Sequence, residues 1–140
     1  MLAELAICTC ALVLGAEAKQ TPEPKKTKIK LIAIEKGIVE ATNAERKRYG
    51  LPPLEVDEDL MKSARDHCAW MTNNQAFRHT SQPVAENIAM GQQSPEDVLG
   101  SWMRSSGHRA NILNGSHRRI GVAAYRTGHG VIYWCQQFRR

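Results

Sequence analysis

The chain is short of most features that would announce a chemistry. Its 140 residues hold three Trp, three Tyr and two Phe, an aromatic share of 6%. With aromatics this sparse and no recognition motif beside them, the excess of basic residues does not read as a nucleic-acid surface. A Gly-rich phosphate loop, a His-Glu-x-x-His pair and a Gly-x-Ser-x-Gly elbow are all missing, so no phosphate-binding, zincin or serine-hydrolase motif is present. Four cysteines are too few for a disulfide scaffold and lack the paired spacing of a structural zinc site. No apolar run approaches the roughly twenty residues of a membrane-spanning helix, and no internal repeat is found. What is there is ordinary: 42% hydrophobic, 24% charged and long enough for one domain. A wholly disordered chain, a collagen-like chain and a multi-domain enzyme are excluded.

The first eighteen residues differ from that average. Residues 1–18 contain no Lys or Arg, residues 5–14 form an apolar run of ten, and Ala16-Glu17-Ala18 supplies a small-x-small triplet. This pattern predicts a signal peptide cut after Ala18, although Glu4 stands where a positive residue is usual. A lipoprotein reading would put the lipid on Cys10, with Thr9 a poor residue before it. Cleavage removes Glu4 and Glu17 and no base, raising the formal charge from +5 to +7. It also removes Cys8 and Cys10, leaving Cys68 and Cys135 in an oxidising compartment: secreted, periplasmic or in the cell envelope. Residues 19–30 (KQTPEPKKTKIK) carry five lysines and two prolines and read as a solvated linker. The functional alternative is a tether to anionic wall polymer or lipid headgroups. The folded domain is expected over residues 31–140.

Apolar side chains at Leu31, Ile34, Ile38 and Ala41 predict an amphipathic helix over residues 31–49, stopped by Gly50. Pro52 and Pro53 then enforce an extended connection. Asp57 or Asp59 caps a second helix reaching about Asn74, with Leu60, Ala64, Cys68 and Met71 on one face. A third opens with Ser94 as N-cap and Pro95 at the first helical position, and is expected to end at Gly107. Residues 120–125 and 131–138 read as strands joined by Thr127-Gly128-His129-Gly130, and residues 84–90 as a weaker strand. The hairpin is apolar on both faces: Val131 and Tyr133 lie on one, Ile132 and Trp134 on the other. Such a sheet must be covered on both sides, which predicts helices above and below it.

His79, Glu86 and His108 are the polar residues that stand out, each among otherwise unremarkable neighbours. Taken singly, His79 reads as a loop residue, Glu86 as a strand residue facing water, and His108 as a cap near a helix end. His67 reads as a partly buried helix residue, and His117 and His129 as surface positions.

In order along the chain stand Thr42-Asn43-Ala44-Glu45-Arg46, Gly50-Leu51-Pro52-Pro53-Leu54, Phe77-Arg78-His79-Thr80 and Ala85-Glu86-Asn87-Ile88-Ala89. They are followed by the run from Trp102 through Ser105-Ser106-Gly107-His108-Arg109-Ala110-Asn111-Ile112-Leu113, then Ile120-Gly121-Val122-Ala123 and Tyr133-Trp134-Cys135-Gln136-Gln137-Phe138. The ordered set resembles the CAP superfamily of cysteine-rich secretory, antigen and pathogenesis-related proteins, in its short bacterial form. The resemblance implies an α+β fold, a three-layer α-β-α sandwich whose small antiparallel sheet is covered by helices on both faces. It also implies a cleft lined by two histidines and two acidic residues, at positions matching His79, Glu86, His108 and, for the second acid, Ser105. This chain therefore lacks one carboxylate of the set, and Ala85 replaces the glycine usual before the glutamate.

Two neutral imidazoles suit zinc or another divalent cation, with Glu86 as a third ligand or as the acceptor that orients an imidazole. With Ser105 in place of an acid, metal binding is expected to be weak, and a polar cluster that binds nothing is the alternative. Cys68 faces inward from a helix and Cys135 lies in a central strand, so a Cys68–Cys135 disulfide is expected over two buried free thiols. Closing that interval would stabilise the fold by about 4 kcal/mol in the chain-entropy model. The function expected is a secreted, non-catalytic, monomeric binding module for metal ions, lipids or sterols, or anionic wall polymers. The alternative is a metal-dependent, peptidase-like hydrolase with Glu86 as general base on water bound by His79 and His108.

Overall fold

A computed structural model describes residues 29–140, so the expected leader, with Cys8 and Cys10, and most of the expected linker lie outside the described residues. Ile29 and Leu31 already pack against the core, and α1 then runs over Ala33–Arg48. Its first turn is held by Glu35, whose Oε2 accepts from the Ile32 N–H at 3.0 Å. The same buried carboxylate takes a bidentate pair from the Arg65 guanidinium, both contacts at 2.7 Å, which fastens the start of α1 to α2 (Glu58–Asn74). Gly50, with φ of +69°, lets the chain leave α1 in the left-handed region that a side chain disfavours. Asp57 is the N-cap of α2, its side chain accepting from the Leu60 N–H at 3.0 Å. α2 ends on Gln75 in the left-handed conformation, with the Ala76 N–H closing onto the Met71 carbonyl at 3.0 Å.

Four strands follow the order β1-β3-β4-β2: β1 (Glu55–Val56), β2 (Ala85–Met90), β3 (Arg119–Arg126) and β4 (Ile132–Arg139). β3 and β4 form the expected hairpin, β2 adds antiparallel to β4, and the short β1, not anticipated, adds parallel to β3. Alternation along the strands separates two apolar clusters. One face presents Ile120, Val122, Ala124, Ile132, Trp134 and Phe138 to Ile38 of α1 and to Val98 and Trp102 of α3 (Pro95–Arg104). The other presents Ala123, Tyr133, Cys135 and Ile88 to Ala64, Cys68 and Met71 of α2. Helices thus cover both faces. Each fully buried large side chain contributes about 2–3 kcal/mol, and Trp102 does so while its indole N–H donates to the Ile88 carbonyl at 3.1 Å. α2 lies so close to β3 that a Cβ on Gly121 would overlap the backbone of Leu60 and Met61.

Two expectations are corrected here. The third helix does not run to Gly107. α3 stops at Arg104, Ser105 leaves helical geometry (φ −98°, ψ 122°), and a separate α4 (Ser106–Ile112) carries His108. Nor are Cys68 and Cys135 bridged; both are free, buried thiols. Cys68 donates to the Tyr133 carbonyl at 3.1 Å and Cys135 to Glu86 Oε2 at 3.5 Å. Burial pushes the Cys68 thiol up to about 12 and the Cys135 thiol well above its ordinary value, suppressing the thiolate that disulfide exchange requires. Among the described residues no helix is long and apolar enough to cross a membrane.

Candidate functional site

Strand alternation turns Glu86 and Ile88 of β2 toward the α2 side, and the β2–β4 register sets Gln137 directly opposite Glu86. Glu86 is buried. Its Oε1 accepts from the Thr80 N–H at 2.9 Å and meets His79 Nδ1 at 2.8 Å. Its Oε2 accepts from Gln137 Nε2 at 2.9 Å and from the Cys135 thiol. A carboxylate only accepts, so His79 Nδ1 carries the hydrogen and its Nε2 lone pair faces outward from an exposed ring. The oxygens of Glu86 are thus filled by four donors.

α4 is placed by a second, separate polar network on the opposite face. Asn111 donates to the Glu86 carbonyl at 3.2 Å and to Asn87 Oδ1 at 2.9 Å. Asn87 in turn donates to the His108 carbonyl and to Gln136 Oε1, both at 3.1 Å. Gln136 completes the chain with a 2.7 Å bond to Thr42 of α1. Beneath this, the buried Arg46 guanidinium donates to the carbonyls of Pro52, Ile112 and Asn114 at 2.8–3.0 Å and to that of His117 at 3.4 Å. A cation on the last carbonyls of α4 both satisfies them and complements the helix dipole. His108 is consequently held beside β2. Burial lowers its pKa, and the neighbouring His79 lowers it further, so the two imidazoles lie within electrostatic reach of each other. A lowered pKa keeps His108 neutral, the form that binds metals.

The structure therefore joins His79 to Glu86 directly, while His108 feels His79 through its charge alone. Ser105 sits at the α3–α4 junction, where its side chain forms no capping bond. Among the described residues no three His, Cys, Asp or Glu side chains are arranged to hold a metal ion. His67 is the partly buried helix residue expected, but its contacts were not foreseen: its Nε2 lies 3.0 Å from the Arg78 carbonyl and 3.8 Å from Glu86 Oε1. Nor were the contacts of Gln137 and Cys135 with Glu86 foreseen, although period-two alternation already puts those two on one face. His117 is not a surface residue: it is buried, stacked on Phe138 at 5.2 Å between ring centroids, and bonded through Nδ1 to the Asn111 carbonyl.

The family model described as CAP, the cysteine-rich secretory protein family, matches residues 39–138. The chain belongs to the CAP family. YkwD of Bacillus subtilis (strain 168) is 39% identical over 140 residues, covering 88% of this chain and 53% of YkwD. The membrane protein YlbC of the same strain is 30% identical over 121 residues, covering 74% of this chain and 34% of YlbC. The CAP chain thus spans about half of one relative's length and a third of the other's. Among solved structures, an extracellular protein containing an SCP domain from Bacillus anthracis (strain Ames) aligns with a TM-score of 0.66 and 28% identity. That match covers 76% of this chain and 40% of the other. The two polar networks above run through the motifs that carry the CAP resemblance: Thr42 and Arg46 of the first, Glu86 and Asn87, His108 and Asn111, and the Gln136-Gln137 pair.

Proposed function

We propose that this CAP module is a secreted, non-catalytic binding protein whose ligand-facing groups are His79 and His108, with Glu86 as the positioning carboxylate. The observation that carries this reading is the saturation of Glu86 by Thr80, His79, Gln137 and Cys135. A general base needs a lone pair directed at water, and here every direction is taken. Two imidazoles without an acid hold zinc or a similar divalent cation weakly, with open positions for a ligand's oxygen atoms. The extracellular SCP-domain protein of Bacillus anthracis supports placing this chain outside the cytoplasm. Lipids or sterols and anionic wall polymers are the further ligand classes that the CAP resemblance implies.

The second reading is a peptidase-like hydrolase, favoured by the one contact that also occurs in hydrolytic dyads, a carboxylate holding an imidazole by Nδ1. Zinc titration and turnover of a broad peptide library separate the two, using the full chain and its His79→Ala, His108→Ala and Glu86→Gln variants. The binding reading expects no turnover, and a zinc affinity that falls about tenfold or more in each histidine variant. Turnover lost in all three variants would establish the hydrolase instead. A wild type that neither binds zinc nor turns over peptide sinks both.

A further inference from the structure

Three consecutive loop residues are pinned in the candidate site, and only two of them by Glu86. His79 and Thr80 meet Glu86 Oε1, while Arg78 is held from α2 at two points. Its carbonyl lies 3.0 Å from His67 Nε2, and its guanidinium lies over the Trp70 ring, 4.5 Å from the centroid. His67 and Trp70 are themselves stacked one helical turn apart, 5.9 Å between centroids and 8° between planes. Because a carbonyl only accepts, His67 carries its hydrogen on Nε2. His67, Trp70, Arg78 and His79, with Thr80 and Ser81, line one open groove of about 550 Å³.

From this geometry we infer that His67 and Trp70 are positioning residues for the ligand-facing imidazole of His79. The reasoning starts from exposure. The His79 side chain is 59% exposed, so packing does little to fix its ring. One hydrogen bond between an exposed ring and a carboxylate must compete with water and with side-chain entropy, and does not hold a single rotamer by itself. The backbone entering His79 must therefore arrive in the right direction, and the α2 clamp on Arg78 supplies that. A carbonyl bond fixes where the peptide plane before His79 points, and the cation–π contact fixes the Arg78 side chain on the far side of it. The loop, which has no strand or helix partner of its own, borrows rigidity from α2. This inference rests on the reading that His79 faces the ligand, but its primary readout does not involve a ligand.

The test is ¹⁵N NMR of the imidazoles in the full chain, with zinc titration as a second measurement. In the wild type His79 is expected as the Nδ1–H tautomer, set by Glu86. His67→Ala should shift it toward the Nε2–H tautomer and weaken zinc binding about tenfold, the low end of an outer-shell partner's contribution. His67→Gln, whose amide N–H can still reach the Arg78 carbonyl but which lacks the ring that stacks on Trp70, should restore both in part. Trp70→Leu keeps the apolar volume and removes the stack, and should move the same two readouts in the same direction. An unchanged His79 tautomer in both His67→Ala and Trp70→Leu overturns the inference. If His67→Ala does not fold, Trp70→Leu decides alone, and an unchanged tautomer there overturns it. A tautomer shift in the variants together with no zinc binding by the wild type would refute the proposed ligand reading while leaving the clamp standing.

Discussion

Gln137 and Glu86 stand opposite each other in the β4–β2 register, and the Gln137 amide donates to Glu86 Oε2 at 2.9 Å with both side chains buried. The sheet thus holds the carboxylate from one side while the loop bearing His79 and Thr80 holds it from the other. A charged group in this setting is tolerable only because its acceptor capacity is used.

Gln137→Leu leaves Oε2 with only the weak thiol donor of Cys135, and should lower unfolding free energy by about 1–3 kcal/mol in urea titrations. Gln137→Glu should cost more, because it replaces the donor with a second buried carboxyl group set against Glu86. Equal stability of Gln137→Leu and wild type would mean that this pair does not hold the carboxylate.

Gly121→Ala should destabilise strongly, although alanine suits a strand better than glycine does. Its Cβ would enter the space occupied by the Leu60 carbonyl and the Met61 amide, which are backbone and cannot rotate aside. Overpacking of this kind costs about 1–3 kcal/mol, and α2 must shift off β3 to relieve it. A thermal melt at or above the wild-type midpoint would contradict the close approach.

His117 should make the protein more acid-sensitive. Burial lowers its pKa, and the Arg46 and Arg140 charges push the same way against the pull of the Asn111 carbonyl. The unfolded chain takes up this proton near its usual value of about 6.5, before the folded state does. Stability therefore falls as pH drops below that value, and levels off once the folded-state pKa is passed. In His117→Gln the slope of unfolding free energy against pH should diminish in that window. An unaltered slope would locate the acid sensitivity elsewhere.

Asp57 should show its contribution at lower pH. Burial tends to raise its carboxyl, but the Leu60 N–H, Arg139 and the Asp59 N–H outweigh that and hold it below the ordinary carboxylate range. A depressed carboxylate stabilises above its unfolded pKa of about 3.9, and the contribution is lost as pH falls through the folded value. Asp57→Asn keeps a good N-cap and loses the charge, so its deficit against wild type should be present at pH 6 and vanish at acid pH. Asp57→Ala also loses the cap, about 1 kcal/mol, and that part should persist at both. Unfolding curves at the two pH values check both variants.

Much of this was legible in the residues. Ser94, Pro95, Asp57 and Gly50 mark helix ends because capping and left-handed geometry are local properties of the chain. The two apolar faces of residues 131–138 required cover on both sides before any helix was placed. The break at Ser105 was not legible. Glycine at position 107 looks like a terminator, and only the hydrogen bonds of Asn111 and Asn87 to distant backbone explain why helix resumes at Ser106. His117 looked like a surface residue because its neighbours Arg118 and Arg119 are basic, yet its ring fills the space against Phe138.

The sequence by itself determined most of the elements, the two-sided sheet and, through ordered motifs, the family with its His79, Glu86 and His108. The tertiary structure alone decided which donors reach Glu86. Those donors come from residues 80, 135 and 137 as well as His79, far apart in the chain or turned inward by strand register. It also decided that Cys68 and Cys135 are thiols, each with its own acceptor, and that His67 belongs beside His79. Capping and periodicity act over a few residues and can be read along the chain. Saturation of a buried carboxylate is a property of three-dimensional neighbours, and is settled only when the chain has folded.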